Sequence, residues 1–111
     1  MYGVLETVRV ACGLDCVNDE FDDELSPLTN AELATLTHLG VGPKDGMVIE
    51  GFTETWESFI DNGPLLALVR QLVGLKVRLV FDPPTSTSVL SAYQEKAKEL
   101  TWRVIEINEG R

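Results

Sequence analysis

The sequence predicts a mainly α protein: a small bundle of four to five helices around one long central helix. Three observations lead there. Leu65, Leu68, Leu72, Leu75 and Leu79 repeat at alternating steps of three and four, with Leu66, Val69, Val73, Val77 and Val80 beside them. Asp82-Pro83-Pro84 then stops that pattern, because proline lacks an N–H and pushes the residue before it out of helical geometry. Thr85, Ser86, Thr87 and Ser88 follow with side-chain oxygens able to cap a new helix. Residues 75–102 therefore read as helix, rigid corner and helix.

The first helix is expected over residues 2–12, where Val4, Leu5, Val8, Ala11 and Cys12 share a face and Gly13 supplies a C-terminal stop. The next helical region covers residues 19–39, with Asn18 as its cap and Asp19 and Glu20 at the positive end of its dipole. Pro27 interrupts it. With Ser26 as N-cap and Pro27 at the first helical position, the sequence favours two helical pieces nearly in line. Residues 40–46 (GVGPKDG) form a loop and lack the Gly-Lys-Ser/Thr ending of a phosphate cradle. Residues 47–50 are expected to be extended, and Thr53 or Thr55 to cap a short helix through Trp56, Phe59 and Ile60.

Pro64 suits the first turn of the central helix, which should end near Val80 or Phe81. Arg70, Gln71, Gly74 and Arg78 make its narrow polar side. So wide an apolar face belongs to the centre of a core, or packs partly into a neighbouring subunit. The last helix is expected over residues 88–103, with Val89, Leu90, Tyr93, Ala97, Leu100 and Val104 on its stripe and Trp102 away from it. Residues 104–111 (VIEINEGR) read as a frayed end or an extended arm, which divides the chain into a helical domain, 1–103, and a tail, 104–111.

Composition narrows the function. A chain of 111 residues is expected to be one domain and to bury roughly 60–70% of its unfolded surface. No apolar run approaches the roughly 20 residues that span a bilayer, and no basic segment precedes an apolar block at the start, so synthesis in the cytoplasm without a membrane is expected. A net charge of −9 argues against binding nucleic acid through its phosphates. Cys12 and Cys16 read as reduced, partly buried thiols, since a metal site would need more ligands and the lone histidine, His38, is distant in sequence. The acidic run Asp19, Glu20, Asp22, Asp23 and Glu24 lacks the glycine and distal glutamate of a calcium loop and reads as a solvated helix start. No nucleophile motif accompanies His38. No catalytic residue, cofactor or metal is expected, and the chain should work through its surfaces.

LKVRLVFDPPTSTSVL, followed by ELTWRV, resembles the C-terminal half of the head–tail connector (adaptor, neck) proteins of long-tailed bacteriophages. LTHLGVGPKDG and ETWESFI resemble the middle of that family, and FDDEL fits its start, so the likeness covers nearly the whole chain. The resemblance implies a virion protein of the head–tail junction, made in the bacterial host. It would form a ring under the portal, extend the DNA channel, receive the next neck or tail protein and send a C-terminal arm toward the portal. Roughly a dozen copies would carry about −100 charges, which would let DNA pass without specific binding. Ser26-Pro27 departs from the continuous helix expected of the family. Two other readings are another neck protein (a stopper or tail-completion protein) and an acidic DNA mimic that inhibits a host nucleic-acid-binding protein.

Three expectations concern particular residues. Val104, Ile105 and Ile107 should dock on a partner as an added strand. Trp102, off its own helix stripe, should contact a neighbouring subunit or the portal, with Arg70 and Arg78 as further partner contacts. Lys76 and Glu32 each fall on the apolar face of a helix and should pair, a structural role shared with the Asp82, Pro83 and Pro84 corner.

Overall fold

The structure, a computed structural model, describes residues 3–50 and 53–110. Among them are four helices: α1 (Val4–Ala11), α2 (Asp22–His38), α3 (Gly63–Phe81) and α4 (Thr87–Glu109), with a single 3-10 turn at Trp56–Ser58. Helix α3 is the hub, packing against α1, α2 and α4. The expected Tyr2 start of the first helix lies outside the described residues.

Helix α1 buries Val4, Leu5, Val8 and, just past its end, Cys12. Gly13 follows at φ +82°, a left-handed position that suits glycine, and the Leu14 N–H returns to the Arg9 carbonyl at 2.9 Å.

Helix α2 corrects the sequence reading at Pro27. It is one helix with Pro27 inside, not two pieces capped at Ser26. Pro27 is its sixth residue and lies on the exposed side, so the proline removes one backbone bond close to an end. The buried row Leu25, Leu33 and Leu36 runs past the proline and holds both sides on one core face. Asn18 does not cap the helix. Its Oδ1 accepts from Glu20 N at 3.0 Å, a local turn, and the helix starts at Asp22, which is itself buried.

Residues 40–50 form a loop that returns to the core through Val41, Met47 and Ile49. Asn30 of α2 takes the place of a β-partner for Ile49, accepting from its N–H at 2.8 Å and donating to its carbonyl at 3.1 Å. This fixes an extended segment without a sheet. The expected helix around Trp56 is only a 3-10 turn, and no threonine hydroxyl caps it. Trp56 is buried, with its Nε1–H donated to Thr7 Oγ1 at 3.0 Å.

In α3, Asn62 Oδ1 accepts from Leu65 N at 2.9 Å, Pro64 occupies the first turn, and the helix ends at Phe81 before the double proline. Gly74, read from sequence on the polar side, is buried because α1 crosses there. A Cβ at Gly74 would stand 2.8 Å from the Ala11 Cβ. After the corner, Ser86 caps α4 through Val89 N at 3.5 Å.

Helix α4 overturns the expected arm. It continues to Glu109, with no break near residue 104. The reason is its stripe: Ala97, Leu100, Val104 and Ile107 keep steps of three and four, with the first three buried and Ile107 packed on the core. Asn108 Nδ2 donates to the Gly40 carbonyl at 3.0 Å, which ties the end of α4 to the glycine loop.

Candidate interaction surfaces

The acid–base side chains inside the domain are engaged in structure. Arg9 and Asp22 form a buried ion pair joining α1 to the start of α2: Arg9 Nε meets Asp22 Oδ1 at 2.9 Å and a second nitrogen meets Oδ2 at 2.5 Å. A third bond runs from Arg9 to the Cys16 carbonyl at 2.7 Å. The hydrogen bond to Asp22 and its charge hold the Arg9 pKa above its ordinary value, against the opposing effect of burial. Sequence reasoning missed this pair. Asp22 sat in a run of acids that read as solvated, and Arg9 in a short helix whose partners were unknown.

Lys76 Nζ and Glu32 Oε1 stand 3.3 Å apart across α3 and α2. Their side chains are 37% and 20% exposed, so the pair lies at the rim of the core. Both residues sit on apolar faces that turn toward each other.

Cys12 is buried and its thiol pKa is pushed up to about 11, first by loss of hydration; nearby Arg78 partly opposes this. Such a thiol is protonated at neutral pH and is a poor nucleophile. Cys12 and Cys16 are both free. Among the described residues, no group of three or more His, Cys, Asp or Glu could hold a metal ion. No helix among them is long and apolar enough to cross a membrane.

The outer surface carries the remaining features. Trp102 is 62% exposed on the outer side of α4, beside Glu95, Lys98 and Glu99. Val104, predicted as a partner contact, is fully buried and cannot serve as one; Ile105 and Ile107 are half-buried. Arg78 lies over the Tyr93 ring at 5.3 Å and lines a groove with Arg70 and Lys96. The sequence reading placed Arg70 and Arg78 together and missed Tyr93, which it had assigned to the apolar stripe of α4.

These features define a small helical protein whose distinctive side chains lie on its outside. The sequence profile of the family described as phage connector protein matches residues 4–111, nearly the whole chain. The chain belongs to that family, in agreement with the resemblance carried by LKVRLVFDPP and its neighbours. The family is one of phage structural proteins. No curated protein and no solved structure matches the chain.

Proposed function

We propose that this connector acts at the phage neck as a ring between the capsid portal and the tail, and that the ring extends the channel through which DNA passes. The match over residues 4–111 carries this reading, because it takes in every helix of the domain and not one motif. Other features agree. The domain keeps a large aromatic side chain, Trp102, in solvent, where an interface would bury it. A net charge of −9 per copy suits a wall past which a polyanion slides. The partners are further copies of the chain, the portal protein, and the next neck or tail protein. Trp102 and Ile105 are the proposed contacts with them.

Joining in vitro tests the reading. DNA-filled capsids made without this protein should fail to join purified tails, and adding the protein back should restore infectious particles. Capsids that join tails at the normal rate without it would refute the proposed role.

A further inference from the structure

Helix α3 is enclosed on three sides. Helices α1 and α2 pack on it and on each other, and α4 packs along it, with Thr101 lining one small pocket together with Glu32 and Lys76. The fourth side is open. There, α3 floors a groove of about 600 Å³, with Thr7 and Val10 of α1 on one wall and Tyr93 and Lys96 of α4 on the other. The middle of the floor is formed by Ala67, Gln71 and Gly74, of which Ala67 and Gly74 are small. Val10, at its edge, is 57% exposed.

The groove is also where cations gather in an acidic chain. Arg70, Arg78 and Lys96 line it, three of only 9 basic residues against 18 acidic ones. Lys96 reaches Glu99 of its own helix at 3.6 Å, an exposed pair that can exchange partners. Glu6, near the other end, is held by the Gly3 N–H at 3.0 Å. Arg78 is paired with the Tyr93 ring and, among the described residues, with no carboxylate.

The opposite side of the domain is complementary. At about 100° per residue, Ala67, Gln71, Gly74 and Arg78 lie roughly 160–220° around α3 from Lys76, which faces α2. The outer face of α2 lies beyond that contact. It exposes Asp23 and Glu24 in its first turn, then Pro27, Ala31 and Ala34, with exposed Asp19 and Glu20 just before it. This is an acidic helix end followed by small side chains that allow close approach.

We infer that the groove of one copy receives the outer face of α2 from the next copy, with Arg78 and Lys96 meeting the carboxylates at the start of α2. This rests on the ring reading above and gives it a contact. Charge selects the arrangement. Two copies at −9 each repel, so a contact must set opposite charges together. A two-fold contact of groove on groove would set Arg78 and Lys96 against their own copies. Joining the two opposite faces is heterologous, and such a contact closes into a ring when the rotation from copy to copy closes, as a ring matched to the portal requires.

Disulfide trapping tests it. In a Cys16→Ser background, which removes the half-buried thiol at the groove end, chains carrying both Gln71→Cys and Ala31→Cys are oxidised gently, alone at high concentration and on purified portal. The expected result is a ladder of dimers, trimers and longer species, with no cross-linking by either single variant. Arg78→Glu should weaken assembly at least tenfold, and adding Asp23→Lys and Glu24→Lys to the same chain should recover most of it. Assembly without a ladder, or dimers from one single variant, would overturn the groove contact and leave the ring reading standing. No self-assembly either alone or on portal would overturn both. Circular dichroism of each variant confirms that it is folded before it is scored.

Discussion

The Arg9–Asp22 and Lys76–Glu32 pairs both tie α2 to another helix, yet they are built differently. The first is bidentate, with side chains 8% and 5% exposed, and its third bond reaches the Cys16 carbonyl. The second is a single contact at 3.3 Å with side chains 37% and 20% exposed. A buried charge that loses its partner cannot be rehydrated in place, whereas a rim charge can turn to water. The first pair therefore locks the α1–α2 corner, and the second trims the edge of the α2–α3 seam. Formal charge is the same in both; access to solvent makes the difference.

The largest expected effect breaks the buried pair. Asp22→Leu strands Arg9 and should cost about 3–5 kcal/mol in urea unfolding. The double variant Arg9→Met, Asp22→Leu should recover most of that loss. Equal losses in the single and double variants would mean that the leucine, and not the stranded charge, is responsible.

A smaller effect is expected where α1 touches α3. Gly74→Ala places a methyl 2.8 Å from the Ala11 Cβ and should cost about 1–3 kcal/mol, although alanine is the better helix former. Combining it with Ala11→Gly should give back part of the loss. Additive losses in a double-mutant cycle would show that the two positions do not meet.

At the rim, Lys76→Met or Glu32→Leu should change stability by no more than about 1 kcal/mol, and the coupling between them should shrink as salt is raised. The Arg9–Asp22 coupling should be far less salt-sensitive. A salt-insensitive Lys76–Glu32 coupling of several kcal/mol would erase the contrast between the pairs.

The same contrast separates the thiols. Cys12 is buried and Cys16 half-buried, so at neutral pH iodoacetamide should label Cys16 well before Cys12. The folded pKa of Cys12 lies above its unfolded value of about 8.5. The folded state thus keeps its proton longer. Stability from this group is full below that value and falls as the pH rises toward about 11. Equal labelling rates would place Cys12 in solvent.

The smallest stability change should come from Trp102→Ala, within about 0.5 kcal/mol, because the side chain is 62% exposed. Its effect on joining should be larger, about 2 kcal/mol or more in assembly.

Much of the fold was legible in the sequence where periodicity and breakers agree. Helix α3 and the corner at Asp82-Pro83-Pro84 are examples, since a long apolar row ends at residues that cannot continue it. Lys76 and Glu32 could be paired because each charge contradicts the apolar face around it. Three features were hidden for physical reasons. Pro27 looked like a boundary because its local cost is visible, whereas the core row that bridges it is a tertiary effect. The end of α4 looked too polar to pack, but Val104 and Ile107 are enough when the stripe is already in register. Arg9 and Asp22 carry no local contradiction, so only the approach of α1 to α2 reveals them. The outer surfaces are the least legible, since packing within the domain does not fix an exposed residue such as Trp102.

The most direct measurement is electron cryomicroscopy of the neck in intact virions. This four-helix domain should appear repeated around the portal axis, between portal and tail, with DNA or an open channel at its centre. Virions whose portal and tail are in direct contact, with no density for this domain between them, would contradict it.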